Sequence, residues 1–348
     1  MKYILLWTKP YSSPFNYLGS GCNTFIRRNC HWTNCYVTSD RSYLGYYTEF
    51  EAIVFNGPWL NIKYDIPKDR STRQKYVYTN VESAANYPLR TNFWNGYFNW
   101  TWTYKLDSDN RWGYLAIRNA THHVVGPQVN MHWTNLSETV SPEIIQILKR
   151  KKKAAAWFSS NCYTRSNREY LVMKIQDELQ RFGFKVDIYG ACGKLDCPKN
   201  IMDRCLDVLE NNYYFYFAFE NALSEDYVTE KIVYALQHNT VPVVYGGANY
   251  TRFMPDGIYL DALKLGPKKL AEVMHRSIIF PEKYYYNFFK WKKHYSYHLR
   301  HESPDTDDYC QFCAMLNNDT LMSTKSVYNH IDTWWNTKIG YTDYSNFF

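Results

Sequence analysis

Three residues about two thirds of the way along the chain combine side chains that suit an anionic ligand. Tyr227, Glu230 and Lys231 are spaced i, i+3 and i+4, so a helix would place an aromatic ring, an acid and a cation on one face. They follow an apolar run at 213–219, and helix N-termini beyond the carboxyl ends of parallel strands attract phosphate. The same spacing is also typical of a solvent-exposed Glu–Lys helix turn, so both interpretations stay open on spacing alone.

The elements around these residues alternate between strand and helix. Short apolar runs predict strands, and apolar positions at a period of 3.6 predict helices. This alternation is typical of a parallel sheet with helices on its faces. The predicted strands are Ala155–Ser159, Lys185–Tyr189, Tyr213–Phe219 and Val241–Tyr245, and the predicted helices are Arg168–Phe182, Tyr227–Gln237, Leu270–Ser277 and Glu282–His298.

The chain before about residue 140 has a different character, with short strands split by polar loops. Its apolar runs Tyr3–Trp7, Ala52–Phe55 and Tyr76–Tyr78 predict strands. A helix start is predicted at Ser141-Pro142-Glu143, because Ser is a good N-cap and Pro suits the first helical position. The basic run Lys149–Lys153 is interpreted as a solvated linker.

Length and composition restrict the class of protein. A chain of 348 residues can build two substantial cores. Its 34 Tyr and 12 Trp offer flat faces that suit sugar rings and bases, although packing alone also uses such residues. The formal charge of +7 favours anionic partners, but the cations are spread out rather than arrayed as a nucleic-acid stripe.

Cysteines and glycosylation sequons indicate the compartment. The nine cysteines include two closely spaced pairs, Cys30/Cys35 and Cys310/Cys313, which are compatible with disulfides or with zinc. Five N-x-[ST] sites alongside these cysteines favour the secretory pathway. No apolar stretch reaches the length of a membrane span, so we expect any membrane anchor to lie outside this sequence. The candidate glycosylation sites are Asn99, Asn119, Asn135, Asn249 and Asn318.

Several motifs, in the same order along the chain, carry a resemblance to a known family. Phe219-Glu220-Asn221, six residues and then Tyr227-Val228-Thr229-Glu230-Lys231 resemble the signature of the α1,3-fucosyltransferase family, glycosyltransferase family 10. The strand Val241-Pro242-Val243-Val244 also fits. Further matches are Asn34-Cys35, Thr38–Ser42, Asn80–Ser83, Phe98–Thr101, Tyr104–Asp109, Ser160-Asn161-Cys162 leading to Arg168, Tyr189-Gly190 and Cys310–Cys313.

The resemblance implies a fold and an activity. The fold would be α/β, in the GT-B arrangement of two Rossmann-like domains that face each other across a cleft. Residues 1–140 would form the acceptor-side domain, residues 141–300 the GDP-fucose-binding domain, and residues 301–348 a tail returning to the first domain. The reaction would transfer fucose from GDP-β-L-fucose, with inversion, in α1,3 linkage to a GlcNAc residue of a glycan in the Golgi lumen.

Donor-site residues are carried over by position. Arg168 and Lys231 would contact the diphosphate, whereas Asn221, Tyr227 and Glu230 would contact the nucleotide, its ribose or the fucose. Two fixed cations can stabilise the charge on departing GDP, so neither a cofactor nor an essential divalent metal is expected. Asp107-Ser108-Asp109 resembles the DxD metal motif of other glycosyltransferases, but its position fits the family's DSD, with a role in ordering the domain interface.

The resemblance also implies a general base and a pair of disulfides. Glu82, in Asn80-Val81-Glu82-Ser83, matches the family's proposed base, although Ala84 stands where the family has Pro. Glu230 is the second candidate for the base. We expect the tail cysteines Cys310 and Cys313 to be bonded to Cys30 and Cys35. No pairing is predicted for the other five, Cys22, Cys162, Cys192, Cys197 and Cys205.

The acceptor side departs from part of the family. Asn56-Gly57-Pro58-Trp59 stands where many vertebrate members have a His-His pair. The Cys30-x4-Cys35 spacing and the run Tyr189–Gly193 look more like invertebrate and plant core enzymes, which fucosylate the innermost GlcNAc of N-glycans. This resemblance favours a core acceptor.

Other functions stay open. Within enzymes, the acceptor alternatives are LacNAc-type antennae and a protein hydroxyl. The alternative from another class is a lectin-like binding protein with an inactive site, although Glu82, Arg168 and Lys231, whose loss would favour it, are all present. A cytosolic zinc or nucleic-acid protein is disfavoured by the sequons.

Overall fold

The computed structural model describes residues 1–8, 11–12, 14–60, 65–136 and 139–337. These residues divide into two units. Unit 1 comprises Met1–Gly113 and the described residues from Arg300 onward, and unit 2 comprises Tyr114–Leu299. Among the described residues, no helix combines the length and the apolar character needed to cross a membrane.

The strands, numbered along the chain, are β1 (Lys2–Leu6), β2 (Cys35–Thr38), β3 (Ala52–Asn56), β4 (Lys75–Asn80), β5 (Trp100–Thr103), β6 (Asn110–Arg111), β7 (Leu115–Asn119), β8 (Val124–Gly126), β9 (Lys153–Phe158), β10 (Val186–Tyr189), β11 (Tyr213–Phe219), β12 (Val241–Tyr245), β13 (Leu260–Asp261) and β14 (Tyr295–Leu299). The α-helices are α1 (Phe15–Leu18), α2 (Asn23–Arg27), α3 (Pro142–Leu148), α4 (Arg168–Gln180), α5 (Met202–Asn212), α6 (Lys231–Gln237), α7 (Ala262–Ile279), α8 (Asp308–Leu316), α9 (Asp319–Ser323) and α10 (Ile331–Trp335).

Unit 1 is built on a parallel six-stranded sheet in the order β2-β1-β3-β4-β5-β6. Every residue of β3 and of β4 is buried, as expected for parallel strands covered on both faces. The strands predicted from the apolar runs at 3–7, 52–55 and 76–78 are thereby confirmed.

The chain after residue 300 returns to this sheet. Buried Asp308, at the start of α8, accepts a hydrogen bond from Nε1 of Trp102 on β5 at 2.7 Å. The four cysteines expected to tie the tail to the first domain form two disulfides, Cys30–Cys310 and Cys35–Cys313. Because these sulfurs are bonded to one another, the zinc interpretation of the two cysteine pairs is wrong.

Unit 2 is built on a parallel five-stranded sheet in the order β10-β9-β11-β12-β13. Its core joins apolar residues of β9, β11 and β12 to the apolar face of α4 and to α7. The predicted strands Tyr213–Phe219 and Val241–Tyr245 match the observed bounds. Ser141 caps α3 as predicted, since its side chain accepts a hydrogen bond from the backbone N–H of Ile144.

A small antiparallel sheet, in the order β14-β7-β8, also lies in unit 2. Tyr295 pairs with Asn119, and Leu299 pairs with Leu115. This pairing places 114–136, which the resemblance groups with the first domain, in unit 2.

Two helix predictions are wrong. The stretch 282–298 contains a 3₁₀ helix, Tyr286–Lys293, followed by β14, because the aromatic side chains Tyr295 and Tyr297 alternate into the interior. The helix predicted from Tyr227 begins only at Lys231. Residues 227–229 belong instead to the loop after β11, where the backbone N–H of Thr229 donates to the carboxylate of Glu220 at 2.9 Å.

The basic run 149–153 is solvated as predicted at Lys149, Arg150 and Lys152, but the prediction is wrong for Lys151. Lys151 is only 4% exposed, and its Nζ donates to the carbonyl oxygens of Glu210 and Tyr213 at 2.7 and 2.8 Å. Lys153 is the first residue of β9 and forms an ion pair with Asp187 at 2.8 Å. The run therefore begins the central part of the sheet of unit 2.

Candidate active site

The candidate site lies where the strand order of unit 2 changes direction. From β9 the chain passes to β10 on one side, and β11 then pairs on the other side of β9. The loops after β9 and β11, residues 159–167 and 220–230, therefore leave the sheet edge in opposite directions. In open parallel sheets, ligands bind in the crevice formed at such a point.

Arg168 bridges the two strand ends at this point. It is the first residue of α4 and is only 4% exposed. One guanidinium nitrogen donates to the carbonyl oxygen of Phe219 at 2.6 Å, and another donates to Ser159 Oγ at 3.1 Å and to the carbonyl oxygen of Asn161 at 3.2 Å. Its Nε is buried without a hydrogen-bond partner among the described atoms. The crevice thus contains a fixed cation with unused donor capacity.

The second cation, Lys231, is held by a buried carboxylate. Glu220 follows β11 directly and is fully buried; its Oε1 accepts hydrogen bonds from the backbone N–H and the hydroxyl of Thr229. Nζ of Lys231 lies 2.8 Å from Glu220 Oε2 and 3.4 Å from Glu230 Oε1. The ammonium group is therefore held by acids on two sides.

The charges of this group reinforce one another. Burial lowers the pKa of Lys231, but the carboxylates of Glu220 and Glu230 outweigh burial and the pKa is raised. Burial raises the pKa of Glu230, but the charge of Lys231, together with hydrogen bonds to the carboxylate, lowers it overall. Both groups are therefore ionised at neutral pH, and Glu230 is a weaker base than an ordinary glutamate.

Tyr227 and Asn221 complete the predicted donor set. Tyr227 is buried, and its ring meets that of Tyr114 edge-on at 6.2 Å, so it is not on the exposed helix face that its spacing suggested. The carbonyl oxygen of Asn221 accepts a hydrogen bond from Ser166 N at 3.2 Å. Asn221 Oδ1 is buried without a hydrogen-bond partner among the described atoms, which leaves an acceptor in the crevice.

The residues that support this set were missed from the sequence. Ser166 Oγ donates to the carbonyl oxygen of Glu220 at 2.8 Å, and Tyr245 on β12 donates to the carbonyl oxygen of Ser166 at 2.6 Å. The signal for Glu220 was present, since an acid directly after a continuous apolar strand is a candidate for the sheet edge. Ser159 and Ser166 carried no signal of their own.

Glu82 lies in unit 1, in the loop after β4, whereas the five predicted donor residues lie in unit 2. Glu82 is partly exposed, and its backbone N–H donates to Asn80 Oδ1 at 3.0 Å. At the departure from the family pattern, the backbone N–H of Ala84 donates to the hydroxyl of Tyr104 at 2.9 Å. A proline at this position would have no N–H to donate, so the hydrogen bond to Tyr104 depends on the alanine.

The carboxylates of Asp107 and Asp109 hold the tail. Asp109 Oδ2 accepts from the backbone N–H of Thr101 at 2.8 Å and from the hydroxyl of Tyr328 at 2.8 Å. Asp107 Oδ2 accepts from the indole N–H of Trp334 at 2.8 Å. These partners all belong to unit 1, so the contacts order that unit internally. Within the described ranges, no group of three or more His, Cys, Asp and Glu residues is arranged to hold a metal ion.

The sequon asparagines differ in their surroundings. Asn99 is engaged within unit 1: its Nδ2 donates to the carbonyl oxygen of Ser326 at 2.7 Å, and its Oδ1 accepts from Tyr76 N at 2.8 Å. Asn119 Oδ1 accepts hydrogen bonds from Thr121 and His123 in the turn after β7. Asn135, Asn249 and Asn318 are exposed.

Unit 1 carries a cavity of about 880 Å³ at the opposite edge of its sheet from Glu82. Parallel sheets bind ligands at their carboxyl edge, and this cavity lies at the amino ends of β1, β3 and β4. Its lining balances three cations with three acids, Lys2, Arg73, Lys325, Glu49, Glu51 and Asp319. It is therefore not part of the candidate site.

Two family models match the chain. Residues 148–334 match glycosyltransferase family 10 (fucosyltransferase) C-term, and residues 1–115 match fucosyltransferase, N-terminal. Alpha-(1,3)-fucosyltransferase C of Drosophila melanogaster is 34% identical over 88% of this chain and 70% of its own length. Glycoprotein 3-alpha-L-fucosyltransferase A of the same organism is 32% identical over 68% of this chain and 43% of its own length.

A human relative, 4-galactosyl-N-acetylglucosaminide 3-alpha-L-fucosyltransferase, is 27% identical over 93% of this chain and 81% of its own length. The crystal structure of alpha1,3-fucosyltransferase with GDP-fucose is similar with a TM-score of 0.51 at 13% identity, over 94% of this chain and 92% of that chain. At this identity the likeness concerns the fold, and it confirms the α/β, GT-B fold class. Together with the family models, these similarities show that the chain belongs to glycosyltransferase family 10, the fucosyltransferases.

Proposed function

We propose that this enzyme transfers fucose from GDP-β-L-fucose, in α1,3 linkage and with inversion, to a GlcNAc residue of a glycan. Membership of the family supports fucosyl transfer, and the printed names of the relatives support the α1,3 linkage. The observation that carries the donor assignment is the pair of fixed cations, Arg168 and Lys231, at the topological switch point of unit 2. Such a point binds nucleotides in doubly wound sheets.

Donor chemistry in this proposal depends on charge. When the bond between fucose C1 and the phosphate oxygen breaks, negative charge develops on the diphosphate of GDP. Arg168 and Lys231 are held in place before the reaction, so they stabilise this charge without reorganising. Buried Glu220 keeps the ammonium of Lys231 oriented, and Asn221 and Tyr227 contribute polar and aromatic surface to the same crevice.

On the acceptor side, we propose Glu82 as the general base. The acceptor hydroxyl oxygen attacks fucose C1 from the face opposite GDP, its proton passes to the Glu82 carboxylate, and GDP leaves. A single displacement of this kind turns the β-linked donor into an α-fucoside. The lowered pKa of Glu230 supports a role beside Lys231 rather than as the base.

The proposed acceptor is the core GlcNAc of N-glycans, and the proposed location is the Golgi lumen. The invertebrate relatives support the first proposal, and one of them is named as acting on glycoproteins. The disulfides Cys30–Cys310, Cys35–Cys313, Cys162–Cys192 and Cys197–Cys205 support an oxidising compartment. LacNAc antennae and a protein hydroxyl are the alternative acceptors.

We also propose that no divalent metal is essential. Arg168 and Lys231 supply the positive charge, while the carboxylates of Asp107 and Asp109 are engaged with Trp334, Thr101 and Tyr328. Treatment with EDTA should leave most of the fucose transfer intact. A complete loss that Mn²⁺ or Mg²⁺ restores would contradict this part of the proposal.

The test is a transfer assay with purified protein, GDP-fucose and a panel of acceptors, read by mass spectrometry. The panel contains N-glycans with an accessible core GlcNAc, the same glycans already fucosylated there, and LacNAc oligosaccharides. We expect the mass of one fucose to be added to the first group and not to the second. Addition to LacNAc alone would move the acceptor to antennae. GDP-fucose binding without transfer to any acceptor would favour a lectin-like protein.

A further inference from the structure

The charges of the donor crevice cancel. Its two cations, Arg168 and Lys231, face the buried acid Glu220 and the adjacent acid Glu230. A nucleoside diphosphate brings additional negative charge, which is bound most strongly where a further cation is available. The crevice as described therefore lacks a cation that would balance its ligand.

The loop after β9 is fixed against this crevice. Cys162 forms a disulfide with Cys192 in the loop after β10, and the backbone N–H of Cys192 donates to the carbonyl oxygen of Ser159 at 3.2 Å. At the other end of the loop, Ser166 is tied to the carbonyl oxygens of Glu220 and Asn221. The loop is thereby attached to the loops after β10 and β11.

Within this loop, exposure alternates along the chain. Ser166 is buried and Cys162 and Thr164 are half-buried, whereas Asn161, Tyr163, Arg165 and Asn167 are exposed. Tyr163 is 95% exposed, which is unusual for a large aromatic residue in a loop held at both ends. The fixed loop thus exposes two side chains, Tyr163 and Arg165, within five residues of Arg168 along the chain.

In the loops after β9, β11 and β12, Arg165 is the cation still available. Among residues 159–168, 220–231 and 246–252, all of them described, the other cations have acceptors. Arg168 and Lys231 have those given above, and Arg252 pairs with Asp226 at 2.9 Å. Arg165 forms no ion pair or side-chain hydrogen bond with the described part of the chain, although its neighbour Ser166 touches the carboxyl end of β11.

We infer that Arg165 is a donor-binding residue that pairs with the diphosphate of GDP-fucose at the mouth of the crevice. This inference rests on the proposed function. Arg168 and Lys231 form the preorganised inner part of the site, and Arg165 supplies the net positive charge. Its exposed guanidinium is free to close on the diphosphate and to release it with GDP.

The test is a calorimetric titration of the full chain with GDP and with guanosine, which lacks phosphate. The variants are Arg165→Ala, Arg165→Lys and, as a matched loss of an exposed arginine, Arg204→Ala on α5. We expect R165A to weaken GDP binding by about 10-fold and to leave guanosine binding unchanged, because only the charge-assisted contact to phosphate is lost. R165K should recover part of the loss, and R204A should bind like the wild type.

Three outcomes would overturn the inference. A GDP affinity of R165A equal to that of the wild type would mean that Arg165 does not contact the diphosphate. An equal loss for GDP and guanosine would mean that the arginine supports the loop rather than the phosphate. A wild-type protein that does not bind GDP at all would overturn the proposed function itself, and thereby also the inference.

Discussion

The carboxyl edges of the two parallel sheets use charged side chains in different ways. In unit 2, the charges at the edge neutralise one another: Lys231 pairs with the buried Glu220 and with the partly exposed Glu230. In unit 1, the charges after β5 are bound to the tail. Lys105 Nζ donates to the carbonyl oxygen of Trp334 at 2.6 Å, and Asp107 accepts from the indole N–H of the same residue.

This difference in the use of charged side chains means that two parallel sheets of the same kind are suited to different chemistry at their carboxyl edges. An ion group whose cations are fixed beside an unused donor, Arg168 Nε, is suited to an anionic ligand. Acids that already accept hydrogen bonds from Trp334, Thr101 and Tyr328 are structural, even though Asp107 and Asp109 have the spacing of a metal motif.

The largest effect is expected for Glu82→Gln in unit 1. Glutamine keeps the size of the side chain but cannot accept the proton at neutral pH. Fucose transfer should fall by roughly 10²–10⁴-fold while GDP affinity stays within about 2-fold of the wild type. Calorimetry for GDP and product formation for transfer check the two halves. A variant that transfers normally would move the base elsewhere, and one that also loses GDP binding would give Glu82 a structural role.

Lys231→Ala should show the reverse pattern, because the main loss is in affinity for GDP, the nucleotide part of the donor substrate. A charge-assisted hydrogen bond contributes about 1.5–3 kcal/mol, so we expect GDP affinity to fall by roughly 10- to 150-fold. Because the variant leaves Glu220 buried and unpaired, its stability should fall as well. The matched control is the double variant E220Q/K231M, which removes both charges. It should recover stability but not GDP affinity; recovery of both would show that Lys231 serves only folding.

The disulfide Cys162–Cys192 gives a smaller expected effect. It fixes the loop that carries Ser159, an acceptor for Arg168. C162S/C192S should raise KM for GDP-fucose by about 10-fold with a smaller change in kcat, because the crevice is positioned less precisely. The control is C197S/C205S, which removes the other disulfide of unit 2 and should leave KM unchanged. Equal KM for the two double variants would contradict a positioning role.

The smallest effect concerns pH and a residue outside both edges. Burial lowers the pKa of Lys151 to about 7, below its unfolded value of about 10.4. Between these values the unfolded chain binds more protons, so the contribution of Lys151 to stability is present above about pH 10.4, falls as the pH is lowered and is lost by about pH 7. In Lys151→Met, the slope of the unfolding free energy between pH 7.5 and 9.5 should decrease by about 1.4 kcal/mol per pH unit.

Chemical unfolding at several pH values checks this slope. Lys292, whose pKa burial lowers to about 8, provides the comparison. Lys292→Met should change the slope only from about pH 8 upward. An unchanged slope in K151M would contradict a buried titrating ammonium at this position.

The sequence predicted most elements of unit 2 because continuous apolar runs such as Tyr213–Phe219 leave little choice of structure. It failed where composition and tertiary context disagreed. The aromatic and charged stretch 282–298 satisfied a helical pattern, but pairing with β7 determines its last strand. Lys151 in a run of cations was interpreted as solvated, because a sequence does not show which lysine meets carbonyl oxygens.

At the candidate site, the sequence indicated the residues but not how they are grouped, because the grouping depends on tertiary structure. The i, i+3, i+4 spacing of Tyr227, Glu230 and Lys231 suggested one helix face, whereas the structure begins the helix at Lys231 and groups the residues through Glu220 instead. The resemblance to the family indicated Arg168, but its role as a bridge between two strand ends depends on β9 and β11 being neighbours. Such information is topological, and local sequence patterns do not contain it.

The most direct test of the donor assignment is hydrogen–deuterium exchange of the wild-type protein with and without GDP. Backbone amides in 159–168 and 220–231 should exchange more slowly when GDP is bound, because these loops form the crevice. The edge of unit 1 after β5 should change less, since its hydrogen bonds to Trp334 and Tyr328 do not depend on the nucleotide. Protection that is absent from both loops of unit 2, with GDP bound, would contradict the account.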